Sequence, residues 1–167
     1  MDAVQYIILA ATILAILWPI VTADRSPIPE TSGNVQKVSE LATLRRFLST
    51  NKYTVIDFYA DWCPPCRAIA PVFSKLADEH ALKGQLAFLK VNIDHCKDAA
   101  KLYKIITVPT FLFFENGEPK PVLVQRDERS GSTKIPRDGL VEKVQGGNVG
   151  LLRCVVQALA LKANSES

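Results

Sequence analysis

Apolar residues fill the first part of the chain without interruption by charge. The stretch AVQYIILAATILAILWPIVTA runs from Ala3 to Ala23, and its only clearly polar interior residues are Gln5 and Thr12. At about 1.5 Å per helical residue it reaches roughly 30 Å, the thickness of the hydrocarbon core of a bilayer. A core helix normally keeps one polar stripe, which is absent here. The pattern predicts an N-terminal hydrophobic helix at residues 1–23 that is a membrane anchor or a signal segment.

The charges that flank this segment favour an anchor over a cleaved signal. Asp2 precedes it, whereas Arg25 and Lys37 follow it. A signal peptide normally begins with basic residues, and the positive-inside rule places the cationic flank in the cytoplasm. We therefore expect contact with a membrane through residues 3–23 and a following domain that faces the cytoplasm. The alternative is cleavage after Ala23, which leaves the domain secreted or in the lumen of the secretory pathway.

The composition changes after the apolar segment. Residues 24–34, DRSPIPETSGN, are rich in proline, serine and charge, which is typical of a linker. Regular periodicity extends from residue 35 to residue 163, so we predict one domain over 35–163 and a short tail over 164–167. A length of 167 residues suits one domain of this size with appendages.

Strand and helix patterns alternate along the domain. The strand KYTVIDFYA is apolar at nearly every position, which is typical of a central strand covered on both faces. A helix with Ser39 as its N-cap carries Leu41, Leu44 and Leu48 on one face. The other predicted elements are the strands 35–38, 85–94, 107–118 and 139–148 and the helices 63–81, 98–104 and 149–163. This order predicts an α/β fold with a central mixed β-sheet flanked by helices.

The last part of the predicted sheet is interrupted. The strand 107–118 ends in an Asn116-Gly117 turn, and residues 118–138 then combine proline, glycine, serine and charges of both signs. Such composition is typical of a long surface excursion. We predict an insertion at 118–138 between the last two strands.

Charge and cysteine content argue against two classes of protein. Lys and Arg number 20 against 17 Asp and Glu, and the net charge of +3 is scattered along the chain. Without a basic stripe there is no case for nucleic-acid binding. Four cysteines are too few, in a chain of this length, for the disulfide framework of a small secreted scaffold.

Cys63 and Cys66 stand at the predicted start of a helix, with Pro64 and Pro65 between them. Two thiols at this spacing close a small disulfide, and the helix N-terminus stabilises the thiolate of the first one. We predict that Cys63 attacks a disulfide and that Cys66 resolves the mixed disulfide. The two prolines suit a helix start, but they remove backbone donors from the neighbourhood of the Cys63 sulfur.

The other two cysteines allow further interpretations. A zinc site that combines Cys63 and Cys66 with His95 and Cys96 is an alternative, which the adjacency of the latter two disfavours; we expect no metal. Cys154 lies among apolar residues and is expected in the core. Cys96 begins a helix near an exposed loop and is a candidate for a secondary redox-sensitive thiol; in that case it is the more accessible of the two, and alkylation should modify it before Cys154.

Asp57 lies in the middle of the apolar strand, six residues before Cys63. A buried carboxylate without a partner is costly, so its presence suggests a function. Burial raises the pKa of such a group, and we predict that Asp57 exchanges a proton with Cys66. Lys90, on a neighbouring predicted strand, is expected to lie near Asp57 and to moderate this shift. Alternatively, Asp57 binds backbone groups at a strand end.

Several short motifs of this domain occur together in one known family. They are Asp57-Phe58-Tyr59-Ala60, Trp62-Cys63, Pro65-Cys66, Ala70-Pro71, Lys90-Val91-Asn92-Ile93-Asp94, Val108-Pro109-Thr110, Asn116-Gly117 and Gly146-Gly147-Asn148. By these residues the stretch from Val35 to Ala163 resembles a thioredoxin. The CxxC motif alone would be weak support, but its combination with the later Val-Pro-Thr motif is specific.

The resemblance implies a thioredoxin fold and a set of functional residues. Pro109 is expected to be a cis proline packed against the Cys63–Cys66 pair, and the backbone of Val108 is expected to pair with an extended substrate. Trp62, Val108, Pro109 and the loop at Gly146 would form a shallow apolar surface for client proteins. The implied activity is reduction of protein disulfides by a monomer without a bound cofactor, with electrons from NADPH through a thioredoxin reductase.

The chain departs from the family pattern at two places. Pro64 stands where the usual motif has glycine, and the insertion 118–138 replaces a tight turn. Two other functions therefore stay open. One is a disulfide oxidase or isomerase in a secretory lumen, and the other is a binding module that keeps the fold without the reaction.

Overall fold

The computed structural model describes residues 2–22, 24–125 and 135–166. Its helices are α1 (Ala3–Val21), α2 (Leu41–Thr50), α3 (Pro64–His80), α4 (Lys97–Leu102) and α5 (Val149–Ser165). Its strands are β1 (Val35–Val38), β2 (Tyr53–Tyr59), β3 (Leu86–Asn92), β4 (Thr110–Glu115), β5 (Glu118–Pro119), β6 (Val122–Leu123), β7 (Leu140–Val141) and β8 (Lys143–Gln145). Residues 1, 23, 126–134 and 167 lie outside the described residues, including part of the predicted insertion.

A mixed sheet with β2 inside it forms the centre of the domain. The strand order is β1-β3-β2-β4-β5, and β8 also pairs with β4. The pairs β1–β3 and β3–β2 are parallel, whereas β2–β4, β4–β5 and β4–β8 are antiparallel. All seven residues of β2 are buried, as its apolar sequence predicted. The predicted α/β fold with a mixed central sheet is confirmed.

Helices cover both faces of the sheet because side chains alternate along each strand. On one face, Val55 and Phe88 pack with residues of α3 and α5 around Phe73, whose ring centroid is 5.6 Å from that of Phe88. On the other face, Ile56 and Leu89 pack with residues of α2 and α4. The centre of the sheet is therefore covered on both faces. A polar side chain in the middle of β2 is buried whichever face it points to.

The helix α1 is present where the apolar segment predicted it. Its apolar side chains are exposed as far as they are described, including Leu14 and Trp18 at 64% each. Over residues 2–22, 24–125 and 135–166, no helix combines the length and the apolar character that a membrane crossing requires. The predicted membrane anchor at residues 3–23 is therefore not supported by this part of the chain.

Two boundaries differ from the sequence prediction. The helix α2 begins at Leu41 with Glu40, not Ser39, as its N-cap, and no side chain caps it. The predicted strand 139–148 is split, because β7 leaves the main sheet to pair with β6, and only β8 pairs with β4. The two ends of the insertion are thus held together by a small sheet whose residues Val122 and Val141 are buried in the core.

A glycine makes the close approach between these two ends possible. Gly139 has a φ of +73°, and a Cβ placed on it would lie 2.9 Å from the carbonyl oxygen of Val124. The same two residues are joined by a hydrogen bond of 2.8 Å from the Val124 amide to the Gly139 carbonyl. A side chain here meets both backbone strain and a steric clash with backbone.

We therefore expect Gly139→Ala to lower the free energy of unfolding by about 1–3 kcal/mol, because both effects act only on the folded chain. Gly33→Ala is the matched control, since nothing lies within 4 Å of a Cβ at that position and its φ is not positive. Denaturant unfolding of the two variants measures the difference. Equal stability of the two would contradict the close approach at Gly139.

Candidate active site

The two cysteines of the CxxC motif lie between the end of β2 and the start of α3. Cys63 is the N-cap of α3, Pro64 and Pro65 occupy its first turn, and Cys66 follows. The two sulfur atoms form a disulfide bond. The first backbone amide after the prolines, that of Cys66, donates a hydrogen bond of 3.2 Å to the Cys63 sulfur. The double proline therefore leaves at least one donor that stabilises a Cys63 thiolate.

An apolar cluster surrounds this disulfide. Both cysteines are buried, with 3% of Cys63 and 1% of Cys66 exposed. The other buried members of the cluster are Ile28, Tyr59, Ala60 and Ala70, and the half-buried Ile93 and Val108 pack against it. Val108 is thus brought to the cysteine pair from a part of the chain more than 40 residues away.

The loop before β4 has the conformation that the motif implied. The peptide bond between Val108 and Pro109 is cis, as predicted. Pro109 is buried, and its carbonyl accepts a hydrogen bond of 2.8 Å from the amide of Gly146, which has a φ of +70°. The structure therefore joins the predicted substrate-binding residues Val108, Pro109 and Gly146 in one loop pair.

Trp62 lies beside Cys63 with an exposed ring. Its side chain is 47% exposed, and the indole N–H donates a hydrogen bond of 2.8 Å to Oδ2 of Asp94. This bond fixes the orientation of the exposed indole ring of Trp62 next to the buried disulfide. A further apolar side chain, Ile106, is 86% exposed in the loop before β4.

Asp57 is buried in the middle of β2, not at a strand end. Its exposure is 1%, and among the described residues neither carboxylate oxygen has a hydrogen-bond partner. Burial raises its pKa to about 7, the charge of Lys90 acts to lower it, and the charge of Glu30 acts to raise it further. The predicted rise in the pKa of Asp57 is confirmed, and the alternative that it binds backbone groups is not what the structure contains.

Lys90 stands opposite Asp57 on the adjacent parallel strand β3. It is 1% exposed, and its ammonium lies 4.8 Å from the centroid of the Tyr59 ring. The ion-pair partner of Lys90, however, is Glu30, with 3.4 Å between Nζ and Oε2. The sequence placed Lys90 near Asp57 correctly but missed the second carboxylate.

Glu30 belongs to the segment 24–34 that the sequence predicted as a linker. The amide of Ile28 in this segment donates a hydrogen bond of 3.0 Å to Oδ1 of Asp61, and Arg67 donates one of 2.7 Å to the carbonyl of Ser26. Ile28 itself is only 2% exposed. The segment thus packs against the disulfide cluster, while the domain boundary at residue 35 stays a prediction. A single isoleucine between two prolines in a polar stretch was the only signal of this in the sequence.

The accessibilities of the remaining cysteines are opposite to the prediction. Cys96 is buried at 4% exposure, and Cys154 is half-buried. Cys96 caps α4 while packing into the cluster under α2, so its position at a loop did not make it accessible. The expectation that Cys96 is the more accessible thiol is wrong. In the described ranges, no group of three or more His, Cys, Asp or Glu side chains is arranged to hold a metal ion.

Comparison with known proteins identifies the relatives of this site. The family model "Thioredoxin" matches residues 35–138. A thioredoxin-like protein of Fusarium culmorum is 49% identical over 119 residues, which cover 68% of this chain and 98% of the relative. A thioredoxin of Neurospora crassa is 34% identical over 136 residues, which cover 81% of this chain and 94% of the relative.

Solved structures give the same result for the fold. The crystal structure of a thioredoxin from Malassezia sympodialis superposes with a TM-score of 0.59 at 29% identity, covering 77% of this chain and 92% of the other. A reduced thioredoxin pre-protein of Schistosoma mansoni superposes with a TM-score of 0.57 at 26% identity, covering 76% and 99%. The geometry around Cys63 and Cys66 is therefore set in a fold that these proteins share.

The raised pKa of Asp57 predicts how the stability of the oxidised protein depends on pH. The folded protein holds this proton up to about pH 7, whereas the unfolded chain releases it near pH 3.8, so stability falls as the pH rises through this window. We expect Asp57→Asn to be more stable than the parent above pH 7, by at most about 4 kcal/mol, and nearly equal to it below pH 4.

Unfolding by denaturant at pH 4, 6 and 8 measures this difference. Asp98→Asn, at an exposed aspartate in the first turn of α4, is the control for loss of a carboxylate. A stability gain that is the same at all three pH values would contradict a titration of Asp57 between pH 4 and 7.

Proposed function

Because the chain belongs to the thioredoxin family and joins Cys63 to Cys66 at the start of α3, we propose that this thiol-disulfide oxidoreductase reduces disulfide bonds in client proteins. The observation that carries the proposal is the redox-active pair itself, which sits beside the cis Val108–Pro109 bond and an exposed Trp62.

Reduction proceeds by two exchange steps. The Cys63 thiolate attacks one sulfur of the client disulfide, so that a mixed disulfide forms and the first client thiolate leaves. Cys66 loses its proton and attacks the Cys63 sulfur, which releases the second client thiolate and closes the Cys63–Cys66 disulfide. Two electrons pass from the dithiol to the client, and the product is the oxidised state of the structure.

Asp57 accepts the proton of Cys66 in the second step. A carboxyl group with a pKa of about 7 is partly ionised at neutral pH, so it takes up a proton and returns it without a large free-energy cost. Asp57 is buried, which separates this exchange from bulk water. Lys90 supports it by moderating the pKa of Asp57, and both residues therefore stay assigned to the reaction.

Client proteins bind on the surface around the disulfide. Trp62 supplies an exposed ring, and the loop pair of Val108, Pro109 and Gly146 supplies backbone groups at the rim. An extended client segment that pairs with the Val108 backbone would bring its disulfide to Cys63.

Reducing equivalents come from NADPH through a thioredoxin reductase, as the family membership suggests. The protein acts as a monomer and binds no cofactor of its own in this scheme, since both electrons are stored in the two thiols. The competing proposal is a disulfide oxidase or isomerase, which needs a more strongly stabilised Cys63 thiolate. The double proline removes amides that would supply this stabilisation, so it favours the reductase.

The location of the protein is proposed from its N-terminal region. The exposed apolar side chains of α1 attach the protein to a membrane, with the redox domain and the basic residues Arg25 and Lys37 together on its cytoplasmic side. In the alternative, cleavage after Ala23 gives a secreted or lumenal domain. Finding the α1 sequence in the membrane pellet would support the first proposal, and a mature N-terminus at Asp24 would support the second.

The roles of the two cysteines are separable by substitution. We expect Cys63→Ser to lower the rate of insulin disulfide reduction by at least about a thousandfold, because the attacking sulfur is removed. Cys66→Ser keeps the first step, so a mixed disulfide between Cys63 and the client should accumulate on non-reducing gels. Cys154→Ser is the control and should keep full activity. Accumulation with Cys63→Ser instead would reverse the assignment of the two sulfurs.

The midpoint potential of the Cys63–Cys66 pair distinguishes a reductase from an oxidase. We expect a value near the roughly −270 mV of thioredoxins, measured by equilibration with defined thiol buffers. A value near the roughly −180 mV of protein disulfide isomerase would favour the oxidase or isomerase in a secretory lumen.

A further inference from the structure

Glu30 occupies a built position inside the domain rather than a place on its surface. One carboxylate oxygen, Oε1, accepts a short hydrogen bond from the Ser74 hydroxyl of α3 and bonds of 3.0 and 3.2 Å from the amides of Thr31 and Ser32. The other oxygen, Oε2, makes the ion pair with Lys90 and has no hydrogen-bond donor within the described residues. Its side chain is 14% exposed.

This carboxylate and Asp57 share a single ammonium group. In the part of the chain that the structure describes, the Lys90 ammonium lies within 4 Å of Glu30 only, although Lys90 and Asp57 are register partners on adjacent strands. The oxygens of Asp57 have no hydrogen-bond partner within residues 2–22, 24–125 and 135–166. Glu30 therefore decides where the Lys90 ammonium lies. As a result, Lys90 compensates the charge of Asp57 less than it would if the two register partners formed an ion pair.

We propose that Glu30 is a positioning residue of the exchange reaction, which holds the Lys90 ammonium away from Asp57 and so keeps Asp57 able to accept the proton of Cys66. This inference rests on the proposed proton transfer by Asp57. Glu30 lies N-terminal to the residues matched by the family model, which begin at 35. The segment before the domain thus supplies a residue of its reaction centre.

The neighbours of Glu30 in the segment explain how it is held there. Ile28, two residues before it, is buried in the same cluster as Cys63 and Cys66. Ser32, two residues after it, donates a hydrogen bond of 2.6 Å to Asp78 of α3. With both flanks bound, the side chain of Glu30 enters the interior at low entropic cost.

The charged and titratable groups around Asp57 fix the direction of the expected effect. They are Lys90 on β3, Glu30 on the N-terminal segment and Tyr59 on β2. Loss of the Glu30 charge removes a repulsion and frees Lys90 to pair with Asp57. Both effects stabilise the Asp57 carboxylate, so its pKa falls and its ionised fraction rises below pH 7.

The test is Glu30→Gln in the full chain, with Asp57 observed directly. In the oxidised protein, carbon-13 NMR of the carboxyl groups gives the titration midpoint of Asp57. We expect this midpoint to fall by roughly one pH unit or more. The pH profile of insulin reduction should shift its acid-side midpoint in the same direction. Glu79→Gln, at an exposed glutamate of α3 that pairs with Lys75, is the control and should shift neither midpoint.

An unchanged Asp57 midpoint in Glu30→Gln would overturn the proposal, since a purely structural role lowers stability without moving this titration. Should Glu30→Gln fail to fold, Ser74→Ala removes one anchor of the Glu30 carboxylate while keeping its charge. It should lower the midpoint by a smaller amount, and no shift in that variant would equally overturn the proposal.

The pH profile of insulin reduction distinguishes failure of the Glu30 proposal from failure of the proposed proton transfer by Asp57. If Asp57→Asn keeps the acid-side midpoint of the parent, proton transfer by Asp57 is wrong and the catalytic part of the Glu30 proposal falls with it. If Asp57→Asn abolishes that midpoint while Glu30→Gln leaves it in place, Asp57 keeps its function and Glu30 has none in the reaction.

Discussion

The arrangement of one buried ammonium with a buried and a half-buried carboxylate sets the chemistry of this protein. Lys90 pairs with Glu30 at 3.4 Å and stands opposite Asp57 in the sheet. A buried charge is costly unless it has a partner of opposite charge. With one ammonium and two carboxylates, one carboxylate is left without an ion-pair partner. Asp57 is that group, because its oxygens accept no hydrogen bond from the described part of the chain and its pKa is raised to about 7. A proton acceptor for neutral pH results from this imbalance.

The sheet makes the imbalance possible. β2 is covered by α3 and α5 on one face and by α2 and α4 on the other, so any polar residue in its middle lies in a low-dielectric interior. The same strand leads directly into Cys63, and the start of α3 supplies the amide that contacts the Cys63 sulfur. Burial thus raises the pKa of the acid, while the helix N-terminus favours the thiolate. The proton acceptor needs an interior that disfavours its charge, whereas the Cys63 thiolate needs donors that favour its charge. Only a few residues of chain separate the two groups.

Local signals in the sequence predicted most of this centre. The CxxC motif at a helix start, the aspartate in an apolar strand and the Val-Pro bond each carry their meaning within a few residues, and the structure confirms the geometry of all three. Glu30 and Ile28 were missed because their partners, Lys90 and Cys63, are remote in sequence, and a stretch of prolines and serines resembles a linker whether or not it packs. Cys96 was misjudged for the same reason, since its burial depends on α2 packing above it. Pattern reasoning finds chemistry that is local and misses contacts that only the tertiary fold creates.

The packing of the N-terminal segment also constrains α1. Arg67 of α3 donates hydrogen bonds to the carbonyls of Asp24 and Ser26, so the chain is fixed to the domain directly after the helix. Only Thr22 and Ala23 lie between Val21 and Asp24, which allows a span of at most about 11 Å. The end of α1 therefore stays close to the face that carries the disulfide. Residues 24–34 are bound to the domain along their length, so they connect α1 to the reaction centre through fixed contacts. Glu30 provides one of these contacts.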